Sequence, residues 1–175
     1  DDLIHENSHH HLNLLLRKFR LLKGDHTEEI FYSPWRRSLR SVYGILHATF
    51  TFTMGAMLFE RLSTWGAKQS ESQLRAVGLG PHDTLRARFR CLEEVESVYY
   101  SLKDLEYAAN KLGWLASSGE QLVLQLEEAI GTVERNIAPH RRGVQRSTFG
   151  PALRRHLDEL HTARMTYGPV RLGKV

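Results

Sequence analysis

The chain has 175 residues, enough for one ordinary domain, and its apolar and charged fractions are those of a folded protein, which excludes a disordered chain. Its only cysteine, Cys91, excludes an intrachain disulfide, and without a CxxC or CxxCH run there is no zinc-ribbon or covalent haem signature. The net charge of +4 is uneven, with eight Lys or Arg from Pro139 onward against Asp158 and Glu159. A tail of that kind suits nucleic acid, anionic lipid or an acidic protein surface.

The sequence opens on Asp1-Asp2 and not on Met, as expected of a mature chain after removal of a transit peptide. Residues 3 to 23 predict an amphipathic helix. Leu12, Leu15, Leu16, Phe19 and Leu22 recur at helical spacing, Arg17, Lys18, Arg20 and Lys23 flank them, and Gly24 is a stop. Such a helix lies on a membrane or against a neighbour, or belongs to a bundle. His5, His9, His10 and His11 form a cluster, but adjacent histidines diverge on a helix and no acidic or cysteine partner stands at ligand spacing. A solvated or interfacial cluster is the expectation.

Ser33-Pro34-Trp35 predicts a helix start, with Ser33 as cap and Pro34 in the first turn. That helix is expected to run through Trp65 and stop near Gly66. Within it, Ser41 to Phe59 holds 19 residues without Lys, Arg, Asp or Glu. As a helix this is about 28 Å long, close to a bilayer's hydrocarbon core. A single transmembrane helix is the first reading; a buried core helix has the same composition. Arg36, Arg37 and Arg40 precede it, while the formally neutral Glu60-Arg61 follows. This asymmetry predicts an N-terminus on the cytoplasmic or matrix side. Ser41, Gly44, Ala48, Thr51 and Gly55 form a stripe of small residues at spacings of three and four, expected to be a helix-packing face. His47 is the one ionisable group in the stretch that invites a role in haem ligation or proton relay.

Residues 67 to 82 predict a linker, broken by Gly78, Gly80 and Pro81. Asp83 is the expected cap of a long helix with Leu85, Phe89, Leu92, Val95, Val98, Leu102, Leu105, Ala109 and Leu112 on one stripe. Ser118 and Gln121 predict a capping box for the next helix, whose stripe is Leu122, Leu126, Ala129, Ile130, Val133 and Ile137. The two predict an antiparallel hairpin. Residues 139 to 150 read as a basic loop. Pro151 starts a short helix with Leu153, Leu157 and Leu160 inward, and the tail from Val170 is expected to be loosely ordered. The predicted architecture is all-α: an N-terminal segment (1–32), a transmembrane helix with its flanks (33–66), a linker (67–82) and a C-terminal helical extension (83–175). No P-loop, GxGxxG or GxSxG occurs, and adjacent carboxylates such as Glu93-Glu94 do not face each other on a helix.

The run Gly55-Ala56-Met57-Leu58-Phe59-Glu60-Arg61, followed by Gly66-Ala67, resembles subunit 9 of the mitochondrial cytochrome bc1 complex (respiratory complex III), a small single-span subunit. Phe31-Tyr32-Ser33 and Arg36-Arg37 are similar to that family's aromatic and basic entry, and the likeness covers residues 31 to 68. Gly55, Met57, Phe59, Glu60, Arg61, Gly66 and Ala67 carry it. The resemblance implies a non-catalytic accessory subunit of the inner mitochondrial membrane, N-terminus in the matrix and C-terminus in the intermembrane space. Its implied neighbours are cytochrome c1, the Rieske protein, cytochrome b and lipids including cardiolipin. Haem and the iron–sulfur cluster would belong to those neighbours; this chain would bind no cofactor beyond a phospholipid, and no nucleic acid. The rival expectations are a structural subunit of another inner-membrane assembly such as ATP synthase, and a soluble all-α adaptor with a basic C-terminal region.

Overall fold

A computed structural model describes residues 2 to 168. The fold is mostly helical, and among the described residues there is one two-stranded hairpin and one helix long and apolar enough to cross a membrane. In order come α1 (Asp2–Lys18), β1 (Phe31–Ser33), β2 (Ser38–Arg40), α2 (Val42–Gly66), α3 (Glu71–Ala76), α4 (Pro81–Asn110) and α5 (Ser117–Ile137). A 3-10 turn (Ala138–His140), α6 (Arg141–Gln145) and α7 (Gly150–Thr166) complete the chain as described; the tail from Val170 lies outside the described residues.

The helix expected from Pro34 begins eight residues later. Residues 34 to 37 form the turn of an antiparallel hairpin that pairs Phe31 with Arg40 and Ser33 with Ser38. Arg37 takes a left-handed conformation there (φ 52°), uncommon for a residue with a Cβ. Ser41, and not Ser33, caps the long helix, its side chain accepting from the Gly44 N–H. Two further expectations shift in the same way. Residues 71 to 76 of the supposed linker form α3, closed by a capping box between Ser70 and Gln73. The basic segment after Pro139 folds into the 3-10 turn and α6.

The bundle is organised by α2 and α4, which lie side by side in opposite directions. Gly66 faces Thr84, Ser63 accepts from Arg88 and the Ala56 carbonyl accepts from the Cys91 thiol, so one numbering falls as the other rises. At Gly66 the approach is tight: a Cβ would stand 2.5 Å from Thr84 Oγ1. One continuous core contains Leu12 of α1, Val42, Ile45, Leu46 and Ala56 of α2, the α4 stripe from Phe89 to Leu105, the α5 stripe from Leu122 to Ile137, and Leu153 of α7. Apolar stripes of α1, α2, α4, α5 and α7 thus meet in this one core.

The N-terminal segment is pinned to the turn between α4 and α5. The Lys23 N–H donates to the Trp114 carbonyl (2.8 Å), the Ala116 N–H to the Leu21 carbonyl (2.9 Å), and Leu22 and Leu115 form an isolated antiparallel bridge. Ser118 does not cap α5, which starts at Ser117 after Ala116; its hydroxyl donates to the Arg20 carbonyl instead. Gly119 allows this approach, since a Cβ there would lie 2.1 Å from the Leu21 carbonyl oxygen.

Candidate functional site

The uncharged stretch is largely covered: from Gly44 to Phe59 its residues are buried or half-buried, while Tyr43 near its start is exposed. Val42, Ile45, Leu46 and Ala56 are fully buried against the core. Thr49 and Thr53 are equally buried and satisfy their hydroxyls within the helix, donating to the Ile45 and Thr49 carbonyls at 2.8 and 2.7 Å. Three other helices, α1, α4 and α5, pack on α2.

The small-residue stripe is covered unevenly. Thr51 and Gly55 are buried while Ser41, Gly44 and Ala48 are half-buried. A Cβ added at Gly55 would meet nothing within 4 Å, whereas Gly66 has Thr84 against it. In the motif, Met57 lines a groove between α1 and α2 with Ile4, Ser8, Phe50 and Met54. The Arg90 guanidinium stands 5.5 Å from the centre of the Phe59 ring. Glu60 accepts from the Thr64 hydroxyl, Arg61 is exposed, and Ala67 closes the helix by donating to the Ser63 carbonyl. Arg36, Arg37 and Arg40 are exposed on the hairpin; Arg37 pairs with Glu159 of α7 at 3.1 Å. That pair is largely solvated and adds little stability.

Two buried carboxylates on α4 carry the strongest electrostatics. Glu94 (2 % exposed) accepts from the Trp35 indole N–H at 2.8 Å and from Arg90 at 2.6 Å. Burial pushes its pKa up to about 7, against the opposing pull of Arg90 and Trp35. Asp104 (3 % exposed) pairs with Arg164 of α7, which also donates to the Tyr100 carbonyl and stacks 3.6 Å from the centre of the Tyr100 ring. Burial raises Asp104 to about 6, again opposed by its arginine. The sequence pattern held a signal for both. Glu94 falls on the line Cys91–Glu94–Val98–Ser101, and Asp104 on Ser97–Ser101–Asp104–Ala108, spacings that put them on the buried arc of the helix.

The third cluster joins α1 to α2. Nε2 of His5 is 3.1 Å from Nε2 of His9, Nδ1 of His9 is 3.3 Å from Nδ1 of His47, and Nε2 of His47 is 2.9 Å from the Tyr43 hydroxyl. Thr51 Oγ1 lies 3.5 Å from His9 Nδ1, and the His5 ring meets Phe52 edge-on. His10 and His11 are exposed, His11 at the rim of the groove between α1 and α2. His5 and His9, one turn apart, contact each other, and His9 reaches His47. Among the described residues no group of three or more His, Cys, Asp or Glu side chains is arranged to hold one metal ion. Compared with known proteins, the chain matches no family model and no curated protein.

Proposed function

We propose that this chain is a non-catalytic helical subunit that works by packing against other proteins, with its bundle in the aqueous phase and α2 as its core. The enclosure of α2 carries this reading. A membrane helix needs a side that faces lipid, whereas from Gly44 to Phe59 every residue is buried or half-buried within the bundle. The helix beside it, α4, carries Arg88, Arg90, Glu93 and Glu94 along the shared length, and charges at membrane depth are costly. Its threonines supply a second argument, since their hydroxyls are satisfied inside a packed core. The docking surface that suits such a subunit is the basic end of the bundle, where Arg142, Arg146, Arg154 and Arg155 are exposed and match an acidic protein surface. Alkaline carbonate extraction tests the reading: the chain should be released from membranes and remain monodisperse without detergent. Retention in the membrane pellet would refute it.

The motif from Gly55 to Arg61 favours a second reading, an accessory subunit of respiratory complex III in the inner mitochondrial membrane. In that case α2 exchanges its contacts with α4 for lipid, cytochrome c1, cytochrome b and the Rieske protein, with Arg36, Arg37 and Arg40 on the matrix side. Resistance to carbonate, together with co-purification of the c1 and b haems, supports it. Resistance without those haems points to another inner-membrane assembly, such as ATP synthase.

A further inference from the structure

The three histidines between α1 and α2 form a chain whose protons can be counted. Each His–His contact places two ring nitrogens 3.1 or 3.3 Å apart, and each needs one proton between its two nitrogens. That accounts for four of the six ring nitrogens. The remaining two, His5 Nδ1 and His47 Nε2, take at most one proton each. Three neutral rings carry three protons and satisfy both contacts with every N–H running in one direction, toward Tyr43 or away from it. The chain tolerates a fourth proton at one of its ends. A fifth puts N–H against N–H, so one His–His contact must open, and a sixth opens both.

We propose that this chain is an acid-sensitive latch on α1, holding residues 2 to 12 on α2 near neutral pH and releasing them when His9 and His47 are both protonated. The first contact to open is His5–His9, because both rings belong to one helix and its loss leaves α1 still linked to α2 through His9 and His47. The second is His9–His47, the shorter of the two polar contacts that His9 makes with α2, the other being Thr51 Oγ1 at 3.5 Å. The groups around the chain do not rescue it. Glu6 on α1 attracts a protonated His9, but the neighbouring His5 and Arg36 of the hairpin turn both oppose that charge. Arg40 of β2 approaches α2 at Gly44, and the Tyr43 hydroxyl lies 2.9 Å from His47 Nε2. Burial, with His5 next, holds His9 below its ordinary value of 6.5. The sign follows: the latch is complete above that value and is lost as pH falls through the lowered one. Below the latch, α1 is still held by Leu12, so the release concerns the turns that precede it.

Amide hydrogen exchange on the full chain tests this, with protection corrected for the intrinsic pH dependence of exchange. Amides of residues 4 to 12 should lose at least about tenfold in protection between about pH 7.5 and pH 5, while those of α4 and α5 hold theirs. His47→Gln and His9→Gln each replace a titrating ring with a neutral amide and should make α1 protection the same at both pH values. Equal protection of wild-type α1 at both pH values overturns the proposal, as does a loss of the same size in both variants. Should a variant undock α1 at neutral pH, ring nitrogen NMR of the wild type decides. His9 and His47 gaining their protons together as α1 protection falls supports the latch. Independent titration of all three rings with α1 still docked refutes it.

Discussion

Gly119→Ala separates the two arrangements of this chain by the sign of its effect. Gly119 lies in the first turn of α5, and in an isolated helix alanine is the better residue by about 1 kcal/mol. If residues 1 to 32 and α5 were on opposite sides of a membrane, the substitution would stabilise. In the packed bundle the new Cβ falls 2.1 Å from the Leu21 carbonyl oxygen and 3.0 Å from its carbon. A tolerable carbon–oxygen contact is about 3.3 Å, so backbone must move by roughly 1 Å. Overpacking of this kind costs about 1–3 kcal/mol. The hydrogen bonds of Ala116 and Lys23 across the same contact add about 1 kcal/mol each when strained or lost. Against the helix-propensity gain, a net loss of about 2–4 kcal/mol follows, or roughly 5–15 °C in Tm for a chain of this size. Gly131→Ala is the control in the same helix. Its Cβ would meet only Arg135 and Tyr99 side-chain atoms at 3.6 Å, an ordinary contact, so it should stabilise by about 0.5–1 kcal/mol. Both are read by urea and thermal unfolding followed by circular dichroism. A Gly119→Ala protein as stable as Gly131→Ala would refute the clasp between Leu21 and α5.

Three further outcomes are expected. Arg164→Ala leaves Asp104 buried without its cation and should cost about 3–5 kcal/mol in urea unfolding, with the Arg164→Met/Asp104→Asn pair recovering much of the loss; a strictly additive double variant would count against a coupled pair. Glu94 is raised from 4.5 to about 7, so its contribution to stability is most favourable below 4.5 and declines as pH rises through 7. The stability of Glu94→Gln relative to wild type should therefore improve by about 3 kcal/mol between pH 4.5 and pH 8, and parallel pH profiles would exclude it. Cys91 is fully buried and its thiol is pushed up to about 12, chiefly by burial, so alkylation near neutral pH should follow the unfolding equilibrium; rapid labelling of the native chain would show that α2 and α4 part locally.

The long elements were legible because their apolar residues repeat. The stripes of α4 and α5 are the buried stripes of the fold, and Leu153 and Leu160 of α7 face inward as expected. Local punctuation was less reliable. Ser33-Pro34 has the form of a helix start, but Phe31 and Leu39 gain more from a hairpin that buries Phe31 completely. Ser118 and Gln121 have the form of a capping box, yet the Arg20 carbonyl captures the serine. The serine's partner lies 98 residues away in sequence, so that competition leaves no local trace. The same holds for the site. His5 and His9 show their one-turn spacing, but His47 joins them only through the packing of α1 on α2. The uncharged run from Ser41 to Phe59 is ambiguous for a physical reason: a helix surrounded by other helices and one surrounded by lipid are selected for the same apolar composition.

The contacts that enclose α2 also impose an order in time. During synthesis α2 emerges before any of α4, and its cover is incomplete until α5 follows. Over that interval the nascent chain presents a 19-residue uncharged helix preceded by Arg36, Arg37 and Arg40, the features by which insertion machinery selects its clients. The hairpin of α2 and α4 can form early, since its strands of sequence are neighbours. The clasp of Leu21 and Lys23 onto Trp114 and Ala116 closes a far longer loop and comes late. Slowing translation once α2 has left the ribosome and before α4 follows would lengthen the exposure of α2 and divert more of the chain to membranes. The compartment reached would then depend on the relative speeds of elongation and capture as well as on the finished fold.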